Sequence, residues 1–155
     1  MRRLTLTLAV LLIAVPTAAA KSFEAASVAG DLTYRSAAVG ESSLLIGYIG
    51  RKTQIIGPRT LKGIACLDGA VLHNCVKLKR TRLSVKWTVI KPVKLMHQQA
   101  GAYTIRLRYA SEVRNVFING CGHVRVHGVG EFSADGAEDV VYKRTDLPAV
   151  IELKP

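Results

Sequence analysis

The chain has 155 residues, 22 of them Lys or Arg and 11 Asp or Glu, for a formal net charge of +11. That length suits one domain able to bury a real core, and the charge surplus attracts polyanions without dictating a fold. After the first twenty residues no apolar run has the length of a membrane-spanning helix, so a soluble mature protein is expected.

Arg2 and Arg3 make a positive start, and residues 4–15 are apolar apart from two threonines. Pro16 breaks the run, and Ala18-Ala19-Ala20 before Lys21 offers the small residues that a signal peptidase accepts. Residues 1–20 therefore read as a secretory signal peptide. No cysteine follows at the cleavage site, which argues against a lipoprotein anchor. The expected destination is outside the cytoplasm: periplasm, cell envelope or extracellular space. Loss of Arg2 and Arg3 leaves 20 basic and 11 acidic residues, a formal charge of +9.

Residues 21–43 are rich in Ala, Ser and Gly and keep no sustained period, which predicts a loosely structured N-terminal segment with at most a short edge strand at Leu32 to Arg35. From residue 44 to 155 the pattern changes to alternation with period two, the mark of half-buried strands in a single β domain. Val76 and Leu78 alternate with Lys77 and Lys79; Val85, Trp87 and Val89 with Lys86 and Thr88. Ile105, Leu107 and Tyr109 alternate with Thr104, Arg106 and Arg108, and Val124 and Val126 with His123, Arg125 and His127. Asp68-Gly69, Gly57-Pro58, Lys91-Pro92, Gln99-Ala100-Gly101 and Asp135-Gly136 supply the turn chemistry between runs. Apolar residues nowhere recur at helical spacing for three turns. The expected fold is all-β: an antiparallel sandwich or partly closed barrel of about eight to ten short strands, with Trp87 in the core.

The stretch Gly120-Cys121-Gly122-His123-Val124-Arg125-Val126-His127-Gly128-Val129-Gly130, continued by Phe132-Ser133-Ala134-Asp135-Gly136, places glycines around an alternating strand. It resembles a motif in a group of small exported β-rich bacterial proteins of unknown function. The resemblance implies a β-rich architecture and no activity. In that group the position between the first two glycines is often basic, and Cys121 stands there in this chain. On physical grounds the glycines mark close backbone approach or a bend in a sheet. A dinucleotide loop is excluded because no helix follows to receive phosphates.

Three cysteines, Cys66, Cys75 and Cys121, allow one bridge with one thiol left over, and export makes a disulfide plausible. Cys75–Cys121 is the cross-strand candidate; a tight hairpin at Asp68-Gly69 would put Cys66 out of register with Cys75. His73-Asn74-Cys75 and Cys121-Gly122-His123 each carry two ligand types at i and i+2, about 6.5–7 Å apart along one strand face. If the two strands were neighbours, His73, Cys75, Cys121 and His123 would form a Cys₂His₂ set for zinc or copper. No cofactor is otherwise indicated, so a small metal-binding protein is the alternative reading.

For catalysis the chain offers little. It has no Gly-x-Ser-x-Gly elbow and no His-Glu-x-x-His helix, and Cys121 shares its segment with His123 and His127, whose side chains diverge. Charge is the stronger lead. No acid occurs between Asp68 and Glu112, where Lys77, Lys79, Arg80, Arg82, Lys86, Lys91, Lys94, Arg106 and Arg108 fall, and acids dominate from Glu131 to Asp146. Lys77, Lys79, Arg80, Arg82 and Lys86 are the candidate polyanion-binding residues. Two arrangements remain open: a basic binding face, or an acidic tail packed onto the basic strands. Export argues against nucleic acid and points to anionic envelope polymers or lipid headgroups. The leading reading is a non-enzymatic exported domain.

Overall fold

The computed structural model describes residues 22–61, 65–66, 76–80, 84–90 and 92–154. The expected signal peptide, Asp68-Gly69, His73, Cys75 and Arg82 lie outside these residues. Everything described is strand, turn or coil, and no helix there is long and apolar enough to cross a membrane.

Twelve strands follow in order: β1 (Ser22–Ser36), β2 (Glu41–Ile49), β3 (Gln54–Pro58), β4 (Ala65–Cys66), β5 (Val76–Arg80), β6 (Ser84–Val89), β7 (Val93–Ala100), β8 (Thr104–Tyr109), β9 (Val113–Asn119), β10 (Gly122–Ala134), β11 (Val140–Tyr142) and β12 (Ala149–Leu153). All pair antiparallel in one continuous, nearly closed sheet, so the all-β, partly closed barrel read from the alternation is the observed fold. In β8, Ile105, Leu107 and Tyr109 are buried while Thr104, Arg106 and Arg108 are exposed. Period-two patterning has the consequence expected of it, one face in the core and one in water.

The spine of the barrel is the pair β1–β10, in register from Phe23↔Ala134 to Ser36↔Gly122. Along its other edge β1 pairs first with β9, from Ser22 to Ser27, and then with β8, from Gly30 to Arg35. The sheet thus divides at the middle of β1. A first wing runs outward through β9, β2, β7 and β4, and a second through β8, β3, β6 and β5. Strand β10 behaves likewise, pairing with β12 through its first half and with β11 near its end. One core cluster draws on both wings: Phe23, Ile46, Leu95 and Ile118 from the first, Tyr34, Ile55, Trp87 and Leu107 from the second. Phe23 stacks on Phe132 at 5.7 Å, and Trp87 is buried as expected.

The N-terminal segment departs from expectation. Residues 22–36 are not loosely held; they form the longest strand, and Leu32 to Arg35 lies between β8 and β10 rather than at an edge. The inward set changes parity along the strand, from Phe23 and Ala25 to Leu32 and Tyr34. A β-bulge between Ser27 and Ala29 produces that shift, and a bulge of one residue moves every later side chain to the other face. The alternation therefore cancels when read over the whole segment.

The bend itself sits at Gly30 and Gly128, which face each other across the ribbon at φ +149° and +133°. A Cβ on Gly30 would fall far inside contact distance of the His127 carbonyl oxygen, and one on Gly128 would meet the Ala29 carbonyl oxygen. The glycine motif marks close backbone approach at a corner, where β1 passes from pairing with β9 to pairing with β8.

Candidate polyanion-binding face

On the outer face of β10, β1, β8, β3 and β6, strand pairing sets residues in rows, and the register continues them to β12 on one side and β5 on the other. Reading along the register, Val150 lies beside Arg125, then come Thr33, Arg106, Ile56, Lys86 and Lys79. The next row runs His127, Asp31, Arg108, Gln54, Thr88 and Lys77. A third sets Arg35 between His123 and Thr104. Adjacent strands are about 4.8 Å apart and same-face neighbours about 6.8 Å apart along a strand, so these rows form a lattice of cations. Arg35, Arg106, Arg108 and Arg125 are exposed and Lys86 is half-buried, with Asp31 and Glu152 the acids beside them in these rows.

Asp31 organises the centre. Its Oδ1 accepts from Arg106 Nη2 and from Arg108 Nε, each at 3.3 Å. Exposed pairs of this kind add little stability. Their effect is positional: two long side chains of β8 lean toward β1 instead of sampling solvent. Beside them a groove of about 440 Å³ is lined by Asp31, Thr33, Thr104, Arg106, Arg125, His127 and Pro148.

The residues picked from the acid-free stretch divide. Lys86 lies on this outer face, and the register puts Lys79 opposite Lys86 and Lys77 opposite Thr88. Arg80 pairs with Val85, the register set that also holds Leu78 opposite buried Trp87, so its backbone position is not in the outward row. Arg82 lies outside the described residues. Arg35 and Arg125, from β1 and β10, were missed because they are remote in sequence from the basic stretch and are joined to it only by pairing.

The second open arrangement, an acidic tail laid on the basic strands, is not what the chain adopts. Glu131 and Asp139 gather with Glu24 beside Asn115 and Phe117, against β9 and the first half of β1. Glu112 forms an ion pair with Arg114 on that side. Asp146 closes its own turn, its Oδ2 accepting from the Lys143 amide at 2.6 Å. These carboxylates of the acidic segment lie away from the basic rows, and Arg35, Arg106, Arg108 and Arg125 stay exposed.

The cysteine and histidine candidates come apart in part. Cys121 lies in the bend before β10, not on the strand, and is buried, whereas His123 is exposed. The bend at Gly122 (φ +147°) removes the simple i, i+2 relation that would put them on one face. Cys121 has no disulfide partner among the described residues, and those residues contain no group of three or more His, Cys, Asp or Glu able to hold a metal. His73 and Cys75, the other half of the proposed set, fall outside them.

A buried polar cluster not apparent in the sequence joins β1, β2, β7 and the approach to β8. Ser36 Oγ and Ser42 Oγ are 2.8 Å apart, Ser42 Oγ donates to Tyr103 Oη at 3.0 Å, and the His97 ring meets the Tyr103 ring edge-on at 4.8 Å. Burial pushes the Tyr103 phenol up to about 12, so it stays protonated and holds its hydrogen bonds. Burial also lowers His97 below its ordinary value of 6.5, with a hydrogen bond to Gln99 opposing. His97 Nε2 has no hydrogen-bond partner among the described residues. The cluster is a clasp between strand ends with a neutral imidazole inside it.

That imidazole has a pH consequence. Because its folded pKa is depressed, the unfolded chain takes up a proton first as pH falls through 6.5 toward the folded value. Stability should therefore drop by up to about 1.4 kcal/mol per pH unit across that window from this group. In urea melts at neutral pH and at pH 5, His97→Phe should lose less stability on acidification than the parent, the new ring still packing on Tyr103. Equal losses would remove His97 from the account.

Fold and face together define a class: an antiparallel, partly closed β barrel with cations gathered on one outer wall. No protein-family model, curated protein or solved structure matches the chain.

Proposed function

We propose that this is a non-enzymatic exported domain that binds anionic envelope polymers through the outer face of its second wing. The observation that carries the reading is the cationic row Arg125, Arg106 and Lys86, extended in register to Lys79, on strands remote in sequence. A charge surplus serving solubility alone needs no such row; here Glu24, Glu131 and Asp139 gather against β9 and the first half of β1, while Asp31 is the acid among the residues lining the groove beside Arg106 and Arg125. Export is supported by the order of residues 2–20, and it removes nucleic acid as the everyday partner.

Electrostatic binding has a distinctive response to salt. Raising ionic strength from about 0.1 M to about 1 M contracts the Debye length from about 10 Å to about 3 Å. Affinity of the mature protein for immobilised heparin or for inorganic polyphosphate should fall by more than about tenfold over that range, since exposed charges are screened beyond one Debye length. Affinity indifferent to salt would reduce the basic face to a solubility device.

A further inference from the structure

The groove on the basic face holds more than charge. Of its seven lining residues, Arg106, Arg125 and His127 supply basic side chains, Asp31, Thr33 and Thr104 are hydrogen-bonding groups without positive charge, and Pro148 is apolar. The two polar kinds alternate. Thr33 sits between Arg125 and Arg106 in one row, and Asp31 between His127 and Arg108 in the next. Thr104 pairs with Arg35 and lies two residues before Arg106 on the same face.

A simple polyphosphate has closely spaced charges and no hydroxyls. It gains nothing from the threonines, and it is repelled by a carboxylate at the centre of its site. An acidic saccharide has the complementary pattern: anionic groups set apart by a sugar ring, with hydroxyls between. Asp31 uses Oδ1 for both arginines and so retains Oδ2 to accept from a hydroxyl. Threonine hydroxyls both donate and accept, and guanidinium forks bind carboxylate, sulfate or phosphate in two-point contacts. Single-stranded nucleic acid would call for aromatic platforms, and the described outward positions of β1, β8, β10, β3 and β6 on this wing carry no Phe, Tyr or Trp. The groove volume of about 440 Å³ lies in the range of small-ligand sites.

We propose that this groove, resting on the reading of the face given above, is a subsite for an acidic saccharide. The anionic group of one sugar unit sits between Arg106 and Arg125, and its hydroxyls are read by Asp31, Thr33 and Thr104.

The test separates hydroxyl recognition from charge. The full mature protein and the double variant Thr33→Val/Thr104→Val are titrated with a heparin-derived tetrasaccharide, with inorganic polyphosphate and with a single-stranded oligonucleotide. Valine suits exposed strand positions and keeps the shape of threonine, and an unchanged urea midpoint confirms that the fold is intact. Loss of two hydrogen bonds should lower tetrasaccharide affinity by about tenfold or more, while polyphosphate affinity stays within about twofold. An unchanged tetrasaccharide affinity, or an equal loss for both probes, overturns the subsite while salt-dependent binding by the parent leaves the face reading standing. Tightest binding to the oligonucleotide, insensitive to the valines, also overturns the subsite. If the parent binds none of the three, the face reading fails with it.

Discussion

Alanine at Gly30 or at Gly128 should unfold the barrel or leave it barely stable. At each position φ lies far from the range of an L-residue, and the added Cβ would collide with a carbonyl oxygen of the facing strand, His127 in one case and Ala29 in the other. Neither obstacle is a side chain that can swing away; both are backbone atoms held by the β1–β10 ladder. Backbone strain of about 1–3 kcal/mol and forced displacement of similar size give a cost on the order of 3 kcal/mol or more per site. A domain of this kind has a total stability of about 5–15 kcal/mol. The loss should appear as a collapse in soluble yield and, where protein is recovered, a large drop in the urea midpoint. Gly136 is the control: it also has positive φ, +71°, but an added Cβ meets nothing within 4 Å. Gly136→Ala should cost only about 1 kcal/mol, the conformational part alone. Gly30→Ala with the parent's midpoint would mean that the corner is not where the barrel turns.

For binding, the largest effect is expected from charge reversal at Arg106 and Arg125. Together the two glutamates change the local charge by four units at the middle of the cationic row and place a new carboxylate beside Asp31. With each unit charge worth about 1 kcal/mol at contact distance in water, affinity for heparin or polyphosphate near 0.1 M salt should fall on the order of 10²- to 10³-fold. The control is Lys94→Glu with Lys143→Glu. It makes the same change in net charge at exposed positions on the first-wing side, Lys94 on the outer face of β7 and Lys143 just after β11. That pair should cost far less, since it lies away from the groove. If both double variants lose affinity equally, net charge and not the face governs binding. Urea midpoints of the parent and both double variants separate loss of binding from loss of fold.

Much of the architecture is legible in the linear chain, because a strand with one wet face writes its geometry as alternation. The runs at Val85–Val89, Ile105–Tyr109 and Val124–Val126 keep their parity from end to end, and each becomes the strand read from it. The turn at Asp135-Gly136 is equally local: both residues have positive φ, 54° and 71°, the conformation that this dipeptide favours. The β1 segment is the instructive failure. Its alanines and serines are strand residues there only because β8, β9 and β10 cover both of its edges, and its bulge reverses the alternation midway.

The site was half legible for the same reason. Local charge runs are visible along the chain, so Lys86 and its neighbours on β5 stood out. What makes them part of a face is pairing between strands remote in sequence, Thr33 to Arg106 and to Arg125 above all. By itself the sequence determined the β class, the turn at Asp135-Gly136 and the surplus of positive charge, each a property of residues within a few places of one another. Gly57-Pro58, expected as a turn, lies within β3. Only the tertiary structure decided that Glu131 and Asp139 gather beside β9, away from Arg106 and Arg125, and that Asp31 lies between two arginines. It also decided that His97 is enclosed beside Tyr103. These depend on register, and register is set by how the whole sheet closes on its core.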